Sequence, residues 1–128
     1  MIDTILIQRP EGAFDVDEIG RYVESLPHTA RDVTEPNTFM VTSDGDEEFD
    51  LQEAIAARAM DTSRFPFSVT LVKLHPAAIT IATKVSYPAA VPTFFGWLRQ
   101  RYPQLQITDE GFNDLTPYCT DNDDFLFE

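Results

Sequence analysis

The sequence predicts an α+β fold: a small mixed or antiparallel sheet with helices packed on one face. Two observations predict it. The stretch from Phe65 to Tyr87 alternates its apolar residues in two arms around His75-Pro76-Ala77, and a period of two marks a strand. Other segments repeat their apolar residues at helical spacing, so the chain reads strand, helix, strand, helix, strand, strand, helix, strand. Helices gathered over one face of a sheet are the layered solution for such an order. The specific expectation is a ferredoxin-like arrangement with an extra helix before the central hairpin.

Ile2 to Gln8 is the first strand, closed by Arg9-Pro10-Glu11-Gly12. Asp15 starts a helix as its N-cap, with Glu18 placed three residues on for a capping box. Phe14 and Ile19 occupy the staple positions. Val16, Ile19, Val23 and Leu26 form the apolar stripe, and Pro27 ends it. Gly20 weakens the helix, which marks a close approach to a strand. His28 to Glu35 reads equally as an extended segment or a loop. After the turn signal Glu35-Pro36-Asn37, Thr38 to Thr42 is a strand. Ser43 to Asp50 is an acidic loop. Asp50, with Glu53 three residues later, caps an alanine-rich helix from Leu51 to Met60.

The hairpin follows Asp61 to Arg64. Val69 and Leu71 share one face of its first arm, and Ile79, Ile81 and Val85 share one face of the second. These are expected to form a single apolar face. The opposite face, with Thr70, Val72, Thr80 and Ala82, is expected to be partly covered. Pro76 lacks a backbone donor and belongs in the connection. Pro92 suits the first turn of the last helix, whose Val91, Phe94, Phe95, Leu98 and Tyr102 lie on one face. Pro103 ends it, and Leu105 to Thr108 is a short strand. From Tyr102 onward there is no Lys or Arg. Residues 109–128 form an acidic tail interspersed with Phe112, Leu115, Tyr118, Phe125, Leu126 and Phe127. A chain end with such anchors is expected to dock on its own domain.

A chain of 128 residues has the size of one domain. Its 43% hydrophobic and 24% charged residues are those of a globular protein, so disorder over most of its length is not expected. Charge is the unusual property. Nine Lys and Arg face 22 Asp and Glu, for a net charge of −13. Phosphate backbones and anionic membranes require the opposite sign, so neither nucleic acid nor membrane is an expected partner. A basic protein is compatible, and so is a charge that serves solubility alone. The single Cys119 permits no internal disulfide and suits a reducing compartment. No basic segment followed by a long apolar run opens the chain, and no run approaches the ~20 residues of a spanning helix. A soluble cytoplasmic protein is expected.

Motifs for chemistry fail on inspection. With Asp44 as the first position of a calcium loop, the sixth is Phe49 where Gly belongs and the twelfth is Ile55 where Glu belongs. His28, His75 and Cys119 make no zinc-ligand pair and no spaced Cys–His dyad. The five glycines are too scattered for a phosphate loop. No cofactor, metal site or catalytic residue is expected, and the reading leans away from an enzyme.

The sequence points instead to a non-catalytic protein-binding domain that recognises a basic partner, in one concrete form an immunity or inhibitor protein covering a basic enzyme. The partner-binding residues would be Asp44, Asp46, Glu47, Glu48 and Asp50, with Asp121, Asp123 and Asp124 of the tail. Trp97, off the apolar face of its helix, would be an aromatic anchor; packing under the C-terminal tail is the competing expectation. The alternatives are a small-molecule-sensing domain, which needs an apolar pocket beneath the last helix, and a carboxylate-dependent enzyme, which needs acids converging in a cleft. An unpaired sheet edge could join a second copy as a homodimer.

Overall fold

The computed structural model describes residues 3–32, 35–42, 69–83, 87–118 and 126–127. The helix expected over 51–60 and both segments with the most crowded acids, 43–50 and 121–124, lie outside the described residues.

The architecture is α+β, and every strand pairing among the described residues is antiparallel. Its strands are β1 (Thr4–Gln8), β2 (Thr29–Arg31), β3 (Thr38–Thr42), β4 (Val69–Leu74), β5 (Ile79–Thr83) and β6 (Gln106–Asp109), in the spatial order β2-β3-β4-β5-β1-β6. Among the described residues the helices are α1 (Val16–Ser25) and α2 (Ala90–Arg101), with a short 3-10 turn at Thr116–Tyr118. The described residues form a six-stranded antiparallel sheet with two helices, a small α+β fold that does not establish the ferredoxin-like arrangement. Part of the segment that read equally as strand or loop is β2, paired with β3 from Thr29↔Val41 to Arg31↔Phe39.

Register decides which residues face the core. The turn at Pro76-Ala77 pairs Leu74 with Ile79, which places Val72 opposite Ile81 and Leu71 opposite Ala82. The core face of β4 therefore carries Thr70, Val72 and Leu74. This corrects the expectation that Val69 and Leu71 share the face of Ile79 and Ile81, because a one-residue change of pairing turns every side chain over. Ile5 and Ile7 of β1 pair with Ile81 and Ile79, and Phe39 with Val72. These residues form one core cluster with Ile19 and Val23 of α1 and Val91, Phe94, Phe95 and Leu98 of α2. Both helices thus cover the same face. The opposite face is also partly closed, since Met40 and Ala30, which pair there, are buried.

Helix α1 starts as its sequence demands: the Asp15 carboxylate accepts from the Glu18 N–H at 3.1 Å. The reciprocal half of the capping box is absent. The Glu18 carboxylate is turned to Arg101 of α2 as a bidentate pair, and the Asp15 N–H donates to the Tyr102 hydroxyl at 3.1 Å. The Phe14 N–H donates to the Pro76 carbonyl at 2.9 Å, tying the helix entry to the hairpin turn. Gly20 lies where helix meets sheet. A Cβ there would stand 3.5 Å from the Phe39 ring and 3.8 Å from Leu74 Cδ1.

At the C-terminus, Leu126 is buried, and Phe127 meets Phe95 and Tyr87 edge-on at 5.5 and 5.2 Å. Among the described residues, no helix is long and apolar enough to cross a membrane.

Candidate functional site

Strand β6 turns back on itself directly after Asp109. The Asp109 N–H donates to the Asn113 carbonyl at 3.1 Å and the Phe112 N–H to the Asp109 carbonyl at 3.0 Å. Thr108 bridges Asp114, and the Leu115 N–H donates to the Ile107 carbonyl at 2.7 Å. This is the bonding of a three-residue hairpin loop, Glu110-Gly111-Phe112, whose last loop residue takes the left-handed conformation and is normally glycine.

Here that position is Phe112, with φ of 61°. Gly111, one residue earlier, is not among the positive-φ glycines. Its role is close packing: a Cβ there would lie 3.2 Å from Asn113 Nδ2 and 3.6 Å from Asp109 Oδ1. The glycine makes room for a hub while the phenylalanine takes the strained position.

The hub is the Asp109 carboxylate. Oδ1 accepts from the Gly111 N–H at 2.9 Å, the Asn113 N–H at 2.9 Å and Asn113 Nδ2 at 3.1 Å. Oδ2 accepts from the same Nδ2 at 3.0 Å. Asp114 Oδ1 accepts from the Thr116 N–H at 3.0 Å, and the Ile107 N–H donates to Thr116 Oγ1 at 2.8 Å. The returning strand is thereby fastened along part of the β6 edge.

Donors aimed at a carboxylate favour its charged form. The Asn113 backbone and side-chain donors hold the Asp109 carboxyl below its ordinary value. Hydrogen bonds from Thr116 do the same for Asp114. At neutral pH both are fixed anions, suited to meeting cations rather than donating protons. Between them Phe112 stands 79% exposed, the one large hydrophobic residue exposed among the described residues.

Four of the six described Arg and Lys side chains are engaged within the fold, while Arg21 and Lys73 are exposed. Arg9 donates to the Ala13 carbonyl at 2.6 Å and lies 4.9 Å over the Tyr102 ring. Arg31 pairs with Glu24 at 3.0 Å and lies 4.8 Å over Phe39. Arg99 lies 5.9 Å over Phe95, and Arg101 is paired with Glu18.

Of the site residues expected from sequence, Asp44, Asp46, Glu47, Glu48, Asp50, Asp121, Asp123 and Asp124 lie outside the described residues. Trp97 is partly buried and stacks on Tyr22 of α1, with ring centroids 4.0 Å apart and planes 5° apart. Among the described residues its closest ring partner is therefore on the neighbouring helix, whereas the tail residue Phe127 packs on Phe95 and Tyr87. A polar cleft of about 300 Å³ lies beside the end of α2, lined by Arg9, Glu11, Arg101 and Tyr102 among others. Among the described residues no three His, Cys, Asp or Glu side chains converge as metal ligands.

Sequence reasoning passed over Phe112 as one aromatic of the tail. The signal was the run Asp109-Glu110-Gly111-Phe112-Asn113-Asp114 after a strand, a turn composition that holds a bulky apolar residue at its tip. No protein-family model matches the chain, and no curated protein or solved structure shows significant similarity to it.

Proposed function

We propose that this protein is a non-catalytic binding domain that recognises a basic partner protein. The observation that carries the reading is the disposal of charge. A chain of net charge −13 folds four of its six described Arg and Lys side chains, Arg9, Arg31, Arg99 and Arg101, onto its own rings, carbonyls and carboxylates, and leaves Arg21 and Lys73 exposed. Asp109 and Asp114, on a surface loop, are held ionised by the loop's own donors. Such a surface selects a cationic partner and speeds its association more than it adds affinity. In its most concrete form the protein is an inhibitor of the immunity type, covering the cationic cleft of an enzyme such as a nuclease. The acids at Asp44, Asp46, Glu47, Glu48, Asp50, Asp121, Asp123 and Asp124 would add to the negative charge that meets the partner in that proposal.

Two other readings have less support. A small-molecule sensor asks for an apolar pocket beneath α2, where Val91, Phe94, Phe95 and Leu98 are buried in the core. A carboxylate enzyme asks for an acid with a raised pKa in a cleft, whereas among the described residues the shifted carboxylates, Glu18, Asp109 and Asp114, are all lowered.

The test is co-purification from the source cell at ~0.1 M salt, followed by a step to ~1 M, where the Debye length falls from ~10 Å to ~3 Å. A basic protein recovered one-to-one and released by the step supports the proposal. Recovery of the chain alone reduces its charge to a solubility device.

A further inference from the structure

We infer that Phe112 is the anchor by which this protein engages its partner, and that the partner is a basic protein presenting an apolar niche rimmed by Lys and Arg. The inference rests on the protein-binding reading above and adds to it a residue and a shape.

Three features of Phe112 converge. Its ring is 79% exposed, while the other described phenylalanines, Phe14, Phe39, Phe94, Phe95 and Phe127, are buried or partly buried. An aromatic ring at this exposure gains by entering a desolvated pocket, and aromatic anchors supply much of the energy of protein interfaces. Its backbone occupies the left-handed region that a bulky residue rarely adopts, so the turn alone does not call for phenylalanine. Its platform is fixed: the bonds to Asp109 and the bridge from Thr108 to Asp114 hold the loop at both ends. The backbone that presents the ring is thereby set before binding, which lowers the entropic cost of association.

The surrounding charge selects the occupant. Asp109, Glu110 and Asp114 flank the ring within five residues of chain, and Tyr102 to Glu128 contain no Lys or Arg. A second copy of this chain would bring the same acids against them, and an anionic lipid surface would be repelled in the same way. A niche rimmed by cations meets both the ring and its flanks.

The experiment places a photoreactive phenylalanine analogue, p-azido-phenylalanine, at position 112 of the full chain. A control carries it at Thr93, exposed on α2. Irradiation of the source-cell lysate at ~0.1 M salt should give an adduct with one basic protein from position 112, lost at ~1 M salt and absent from position 93. With that protein purified, Phe112→Gly should bind at least ~30-fold more weakly than the parent, as an anchor residue implies. Glu110→Lys should weaken binding and flatten its salt dependence. A salt-released basic partner that binds Phe112→Gly as tightly as the parent overturns the anchor and leaves the acidic-surface reading standing. The absence of any salt-released partner overturns both. Adducts of equal yield from positions 112 and 93 also overturn the anchor.

Discussion

Replacing Phe112 by glycine and, separately, by alanine distinguishes backbone strain from packing at the loop tip. An L residue in the left-handed region costs roughly 1–2 kcal/mol. Glycine avoids this but loses about 0.5–1 kcal/mol through the greater freedom of its unfolded chain. The ring is 79% exposed, so it hides only about a fifth of its area; at ~25 cal/mol/Å² over ~200 Å² for a buried phenylalanine, that is worth roughly 1 kcal/mol. Phe112→Ala keeps the strain and loses the contact, so it should fall about 1 kcal/mol below the parent. Phe112→Gly loses the same contact but relieves the strain, which leaves it within about 0.5 kcal/mol of the parent. Glycine should therefore exceed alanine in stability, the reverse of the usual order within regular structure. At ~2.1 cal/mol/K per residue, a chain of 128 residues should show the gap as roughly 2–4 °C in Tm. Thermal and urea unfolding followed by far-ultraviolet circular dichroism, without partner, read it directly. Alanine equal to or better than glycine would refute the left-handed geometry. A loss above about 3 kcal/mol in both variants would show that the ring is a packing residue.

Other perturbations act on the buried sheet and on the Asp109 hub. Thr70 Oγ1 is buried with no hydrogen-bond partner among the described residues, so Thr70→Val should gain about 1 kcal/mol; a clear loss in urea unfolding would reveal a partner for the hydroxyl. Gly20→Leu should lose about 2–3 kcal/mol, since a Cβ alone already touches Phe39 and Leu74, while Gly20→Ala should stay near neutral; equal effects would mean that α1 stands off the sheet. Asp109 titrates below its ordinary 3.8 in the folded state. Its stabilisation is therefore fully present above that value and is lost as pH falls through the lower folded pKa. Asp109→Asn should flatten the acid limb of the stability–pH curve, and an unchanged limb would contradict the hub.

Helix α1 was legible because its information is local: the Asp15 cap, the stripe from Val16 to Leu26 and the stop at Pro27 lie within one short stretch. The fate of the Glu18 carboxylate was not, because its partner Arg101 is 83 residues away. The hairpin was visible from alternation, yet its core face was assigned one residue out on the first arm. Both faces of that arm offer apolar side chains, and only the Leu74↔Ile79 pairing decides between them. β2 stayed open between strand and loop because three residues are too few for a period, and Ala30 is its one buried residue. At the loop tip the glycine that advertises a turn sits one residue before the position whose geometry favours it, so sequence indicated the turn and concealed the strained phenylalanine.

The proposed role of this acidic surface is to meet a cationic protein. It is tested most directly by the equilibrium Kd for the co-purified partner at a series of salt concentrations from ~0.1 to ~1 M, measured for the parent chain and for Glu110→Lys. The parent's affinity should fall steadily with salt, and the variant should bind more weakly with a shallower slope. Equal affinities and equal slopes for the two proteins would contradict it.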